Sequence, residues 1–263
     1  MARSTAAAIR RLGRPLLHRV RSWDADDDTT PIPTYEDLYE AHARAIPHTD
    51  VIGGGDFDVM GRIQLAVLRD QGLTPHDTVV DLGCGVGRLA VHLVPELTTG
   101  RYVGVDVAPT MLVRARQLLA ERGIDHPDVQ FVHANDVPLP LADRSVDMLV
   151  AFSVFTHMEH EDTFRYLQDI HRVTLPGGTL IFSALPMRLD AARHVFLDSA
   201  SLDLAERWSQ VRNVVTTDEM VMGLAEMTGW AHRHTYLGDV EDVPMPGGTK
   251  AALGQAIYVF TRV

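Results

Sequence analysis

Val79-Val80-Asp81-Leu82-Gly83-Cys84-Gly85-Val86-Gly87-Arg88 is the stretch on which the fold turns. A short apolar strand runs into a glycine-rich turn, and a helix is expected to follow. Nineteen residues after Gly87, a second apolar run, Tyr102-Val103-Gly104-Val105, ends in Asp106. Glycine adopts positive φ without strain and lets a ligand approach the backbone closely. The free N–H groups of the helix that opens there favour an anionic ligand group. A carboxylate at the end of the second strand can accept hydrogen bonds from both hydroxyls of a ribose. Taken singly, Asp81 and Asp106 also read as strand-end caps or solvated charges. At this spacing the two motifs together describe a pocket for a nucleoside cofactor. A dinucleotide fingerprint requires Gly-x-Gly-x-x-Gly, and here the last position is Arg88. A bulky side chain there argues against a pyrophosphate and suits a ligand that presents a carboxylate and an ammonium. Asp81 could hold loop amides or reach that ammonium through a water.

Outward from this stretch, strands and helices alternate. Strands are predicted at 78–82, 102–105, 129–133, 146–152 and 179–185, and helices at 86–97, 109–122, 159–171 and 217–227. Pro95 should kink or shorten the first of these helices. Pro109 suits a first turn and Gly123 a C-terminal stop. The last two strands, 230–237 and 256–261, have no helix between them and should form an antiparallel edge hairpin joined by a long loop, 238–254. The fold expected is α/β, a doubly wound seven-stranded sheet, mostly parallel, with helices on both faces. Ligands then bind beyond the carboxyl ends of the strands.

The 263 residues suffice for one large domain with appendages. Residues 1–34 read as a basic N-terminal extension and an acidic, proline-bearing linker, and 35–263 as the main domain, with cap helices in 35–72. Hydrophobic residues make up 46% of the chain, enough for a full core, and no apolar run reaches the roughly 18 residues of a membrane span. The single cysteine, Cys84, excludes an internal disulfide framework and fits a reducing cytoplasm. A formal charge of −11 makes the chain a poor general binder of nucleic acid. Residues 1–23 nevertheless carry six arginines and no acid, with Ile9, Leu12, Leu16, Val20 and Trp23 at helical spacing. This is either a basic amphipathic helix that meets an anionic membrane or a partner, or a frayed extension weakened by Pro15.

Further segments match one family in order. The first motif, followed by Gly104-Val105-Asp106-Val107, resembles the class I S-adenosylmethionine-dependent methyltransferases. Residues 134–147, 153–158 and 172–180 resemble that family's adenine loop, the segment after its fourth strand, and the turn into its fifth. The resemblance implies S-adenosylmethionine as cofactor. It implies that Gly83, Cys84, Gly85, Gly87 and Arg88 form the loop around the methionine and ribose portions. Asp106 would bind the ribose diol and Val107 would pack on adenine. Asn135, or Asp136 one residue on, would meet the adenine amino group, and Phe152 and Ser153 would lie beside the sulfonium.

Methyl transfer from a sulfonium is an in-line displacement, for which the protein mainly supplies alignment and a dry site. A hydroxyl acceptor also needs a base. His157 follows the fourth strand at the correct end of the sheet and is the catalytic candidate, against a role in capping or packing alone. His157, Glu159, His160, Glu161 and Asp162 could in principle hold a divalent ion, but acids at a helix start are favoured by its dipole anyway, and no metal is expected. Residues 186–215 should form part of a substrate lid, in which Arg188 and Arg193 are either anion holders or surface charges. The acceptor expected is a small molecule methylated at oxygen, with nitrogen or carbon, or a lipid or sugar, as alternatives. A nicotinamide-dependent oxidoreductase and a non-catalytic cofactor binder are the readings of a different class.

Overall fold

The computed structural model describes residues 33–46 and 55–263. The basic segment 1–23, nearly all of the linker, and Gly53 and Gly54 lie outside the described residues. In chain order the elements are α1 (Tyr35–Ala45), α2 (Phe57–Asp70), β1 (Thr78–Leu82), α3 (Ala90–Leu93), β2 (Arg101–Asp106), α4 (Pro109–Glu121), β3 (Val129–His133), β4 (Val146–Ala151), α5 (His160–Val173), β5 (Thr174–Ala184), α6 (Asp190–Ala200), α7 (Leu204–Trp208), α8 (Asp218–Met227), β6 (Trp230–Tyr236), β7 (Val243–Pro244), β8 (Lys250–Ala251) and β9 (Ala256–Arg262). Among them no helix is long and apolar enough to cross a membrane.

The main sheet has seven strands in the order β3-β2-β1-β4-β5-β9-β6. The strands from β3 to β5 are parallel, and β9 runs antiparallel between β5 and β6. The expected α/β sheet and its edge hairpin are therefore present. The order reverses between β1 and β4, which opens a crevice at their carboxyl ends. Side chains alternate along each strand, so one strand serves two cores. Val79 and Met148 face α2, α3 and α4, while Val80 and Leu149 face α5 and α8. Both faces are covered, which explains why the central strands read as continuous apolar runs.

Three local expectations change. The helix predicted over 86–97 is a turn that tightens into the four-residue α3 and then a 3₁₀ turn at Val94–Glu96. Pro95 has no N–H for the helical ladder and its ring crowds the carbonyl one turn back. The fifth strand begins five residues earlier than expected, because Pro176-Gly177-Gly178 forms a bulge inside β5, not a turn before it. The register against β4 shifts between Val146 and Met148, and Gly177 takes φ +78°. The loop 238–254 carries its own small hairpin, β7 with β8.

Candidate active site

A cavity of about 570 Å³ lies beyond the carboxyl ends of β1 to β4. Its floor is the glycine turn. The N–H groups of Gly83 and Cys84 both donate to the Val105 carbonyl, at 2.7 and 3.1 Å, and so fold the turn over the end of β2. Gly83 has φ +71°, and a Cβ there would stand 2.4 Å from Val154 Cγ2. Gly85 has φ +54° and open space where a Cβ would be, beside the cavity. Gly87 differs from expectation. It does not line the cavity, and a Cβ there would face Ala90, Ala115 and Leu119. Its φ of +88° turns the chain into α3, so it shapes the turn from behind the cavity. The Cys84 thiol is buried over Gly104, where any side chain would collide with it.

Two carboxylates lie under the turn. Asp106 is 8% exposed. It accepts the Gly85 N–H on Oδ2 at 2.8 Å and the Ala108 N–H on Oδ1 at 2.9 Å. Burial pushes its carboxyl up, and these backbone donors pull it partly back. Asp81 is deeper, and among the described residues the Tyr102 hydroxyl is its one hydrogen-bond donor, at 2.8 Å. Burial pushes its carboxyl up to about 7, the Tyr102 bond opposes this, and the Asp106 charge adds to it. Arg88 lines the cavity with its guanidinium 5.6 Å above the Phe57 ring.

Val107, Asn135, Phe152 and Ser153 all line the cavity. Asn135 Nδ2 donates to Glu36 of α1 at 2.8 Å, which leaves its carbonyl oxygen as the acceptor. Asp136 does not line the cavity. Arg165 of α5 holds its carboxylate at 3.0 Å and the Val137 N–H binds it at 2.7 Å. Of the two candidates for the adenine loop, only Asn135 is thus placed to meet a ligand. Ser153 is left-handed, with φ +57°, which is rare for a residue with a side chain.

His157 closes the far side, in a 3₁₀ turn after β4. Its Nδ1 lies 2.8 Å from the Arg212 carbonyl. A carbonyl only accepts, so Nδ1 carries the proton and Nε2 keeps a lone pair. Burial pushes the imidazole below its ordinary value, the Arg212 carbonyl opposes this, and His42 adds a small further lowering. The imidazole is therefore neutral at physiological pH.

The roof comes from residues the motifs do not contain. Tyr35, Tyr39 and His42 of α1, Gln64 of α2, and Gln210 and Val211 of the 186–215 insert all line the cavity. Tyr35 and Tyr39 are the two aromatic residues of α1 and stand one turn apart, which is the signal in sequence that could have singled them out. The Tyr39 hydroxyl and Gln64 Oε1 are buried and have no hydrogen-bond partner among the described residues. The Tyr35 hydroxyl donates to Asp162 at 2.9 Å and accepts the Glu159 N–H at 3.1 Å. Glu159 is paired with Arg212, whose guanidinium stacks on Trp208. Glu159 and Asp162, two of the acids considered for a metal, are thereby engaged with the insert and with α1. Arg188 pairs with Asp218 and donates to the Leu237 carbonyl, and Arg193 pairs with Asp190. Both arginines brace the protein and do not face a ligand.

With this geometry established, the likeness to known proteins is informative. Residues 79–178 match the family model of a methyltransferase domain. The demethylmenaquinone methyltransferase of Thermus thermophilus is 33% identical over 109 residues, 41% of this chain and 47% of that protein. The 2-phytyl-1,4-naphtoquinone methyltransferase of Nostoc sp. is 36% identical over 108 residues, 41% of this chain and 46% of that protein. The chain thus spans less than half the length of these relatives. The crystal structure of magnesium protoporphyrin IX methyltransferase from Synechocystis, with bound SAH, superposes with a TM-score of 0.58 at 19% identity, covering 80% of this chain and 90% of that one. At that identity the likeness speaks for the fold. Residues 79–178 thus match a methyltransferase domain, and the sheet order and glycine turn around them are those of the class I S-adenosylmethionine-dependent methyltransferase fold.

Proposed function

We propose that this protein transfers a methyl group from S-adenosylmethionine to the oxygen of a small-molecule acceptor. The site fits the cofactor on its own evidence. Gly85 leaves a cradle that a side chain would fill, Asp106 lines the cavity as a buried carboxylate, and Tyr39 and Gln64 hold buried polar atoms at the cavity wall without partners among the described residues. Asp106 would hold the ribose diol, Val107 the adenine face, and the Asn135 carbonyl the adenine amino group. Gly83, Gly85 and Asp81 would address the amino-acid end, with Phe152 and Ser153 beside the sulfur.

When bound, the cofactor supplies a methyl group on a sulfonium, and the C–S electron pair stays on sulfur as the methyl leaves. The chain's residues do the rest. The cavity excludes water and holds the acceptor oxygen in line. His157 Nε2 takes the acceptor's hydroxyl proton, and the Arg212 carbonyl fixes the tautomer and steadies the imidazolium that forms. That neutral, tautomer-locked histidine is the observation that carries the assignment to oxygen. The same base serves an acceptor that reacts at carbon beside a phenolic hydroxyl, which is the second reading. The net charge of −11 supports a small molecule over a nucleic acid.

Calorimetry with S-adenosylhomocysteine and with NAD tests the donor. The expected result is binding of the first alone, and binding of NAD alone would end the reading. A screen of phenolic and alcoholic acceptors with labelled methyl donor, followed by mapping of the label, then separates oxygen from carbon. Label found only on carbon or nitrogen would overturn the O-methyl assignment.

A further inference from the structure

Ser153 is held by a closed ring of polar bonds drawn from three parts of the chain. Its N–H donates to Ser183 Oγ of β5 at 2.7 Å. Ser183 Oγ in turn donates to Gln255 Oε1 at 2.6 Å, and Ser153 Oγ donates to that same oxygen at 3.1 Å. Ser183 is fully buried. Gln255 stands just before β9, where Gly254 donates to the Gly238 carbonyl at 2.9 Å. Gly238, at φ +93°, must be glycine for the chain to approach this closely, because a Cβ there would lie 2.5 Å from the Gln255 carbonyl carbon. The fold thus brings β9 up behind the end of β4 and places one amide oxygen against two hydroxyls.

The ring has two consequences. It fixes the left-handed backbone of Ser153, a conformation that persists only where surroundings impose it. It also commits the Ser153 hydroxyl proton to Gln255. A hydroxyl has one proton and two lone pairs, so Ser153 offers the cavity lone pairs only. It can accept there and cannot donate.

We propose that Ser183 and Gln255 are positioning residues that hold Ser153 Oγ as an acceptor for the polarised C–H bonds of the sulfonium methyl group. The proposal rests on the cofactor reading above and deepens it. An oxygen presenting only lone pairs favours the positively charged methyl sulfonium over the neutral thioether left after transfer. A weak C–H···O contact of this kind corresponds to roughly a two- to fivefold preference.

The test is equilibrium binding, with S-adenosylmethionine and S-adenosylhomocysteine titrated separately into wild type, Ser153→Gly, Gln255→Leu and Gln255→Glu. Ser153→Gly deletes the oxygen while suiting the positive φ. Gln255→Leu frees the serine proton to turn toward the cavity. Gln255→Glu keeps an acceptor oxygen in place. In Ser153→Gly and Gln255→Leu, the affinity for the methylated form relative to the thioether should fall two- to fivefold, and Gln255→Glu should restore it. Equal loss of both affinities would show a purely structural ring and overturn the proposal, as would an unchanged ratio. A wild-type protein that binds neither compound would overturn the cofactor reading itself, and this proposal with it.

Discussion

The cavity has two walls of different construction. The cofactor wall is backbone. The ends of β1, β2 and β4 are set by sheet hydrogen bonds and buried on both faces, and the turn from Gly83 to Gly87 folds back onto the Val105 carbonyl. The acceptor wall is side chains on helices joined by a few polar ties. Of α1 only Ala43 is buried, and the helix is held by Tyr35 to Asp162 and Glu159, Glu40 to Thr110, and Glu36 to Asn135. One wall is built into the buried sheet, and the other rests on helices that a few polar bonds hold in place. A protein that must hold a constant donor and admit a particular acceptor can keep the first while changing the second.

The comparison predicts that a substitution in each wall damages a different step. His157→Gln, on the acceptor side, should lower kcat by roughly 10²–10⁴ while leaving the affinity for S-adenosylhomocysteine within about twofold of wild type. The wild-type rate should rise with pH as the imidazole loses its proton. Because burial lowers that value, the rise should be centred below the ordinary histidine value of about 6.5. A rise centred well above it would mean another group is the base. Asp106→Ala, on the cofactor side, should do the reverse. Two charge-assisted bonds are lost, so affinity should fall at least about a hundredfold, measured by calorimetry. Unchanged affinity would remove Asp106 from the ribose and weaken the division of the walls.

How much of each wall was legible in sequence follows from the same difference. Asp81, Gly83, Gly85 and Asp106 occur in two short runs whose spacing is imposed by a strand, a turn and a neighbouring strand. Local chemistry and tertiary position therefore coincide there. Gly87 showed the limit even here, because a positive φ required for turning the chain looks the same in sequence as one required for a ligand. Asn135 and Asp136 could not be separated by spacing, since what distinguishes them is Arg165, which lies on another helix. Tyr39, Gln64 and Gln210 lie in the segments expected as cap helices and lid, but nothing in the chain order singles out these residues within them. Gln255 was invisible for the same reason, because β9 enters the sheet out of sequence order between β5 and β6.

Within the cofactor wall, Asp81 should impose a cost on the ligand-free protein that depends on pH. Its folded value of about 7 lies above the unfolded value of roughly 3.9. A raised value means that the folded state binds the proton more tightly. The contribution is therefore full below the unfolded value and is lost as pH rises through the folded one. Between the two values wild type should lose about 1.4 kcal/mol per pH unit relative to Asp81→Asn, and the difference should level off above 7. Denaturant melts at several pH values measure this. A flat difference would mean that Asp81 is ionised throughout and that its surroundings are more polar than the Tyr102 contact alone provides. Close by, Gly83→Ala should destabilise more than Gly85→Ala. Both residues have positive φ, which alone costs about 1 kcal/mol, but only at Gly83 does the added carbon also meet Val154.

The mildest substitution tests the acceptor wall's independence most directly. Tyr35→Phe keeps the ring and removes one hydroxyl, and with it two of the ties that fasten α1. Each such bond is worth about 1 kcal/mol net. Because so little of α1 is buried, that loss should open the helix locally, without unfolding the sheet. Amide exchange over residues 38–45 should speed up by about fivefold or more, and dissociation of S-adenosylhomocysteine should quicken with it, while amides in β1 and β4 stay protected. If the strand amides exchanged faster by the same factor, α1 and the sheet would form one cooperative unit. The acceptor wall would then be as rigid as the other, and acceptor choice would have to come from side chains alone.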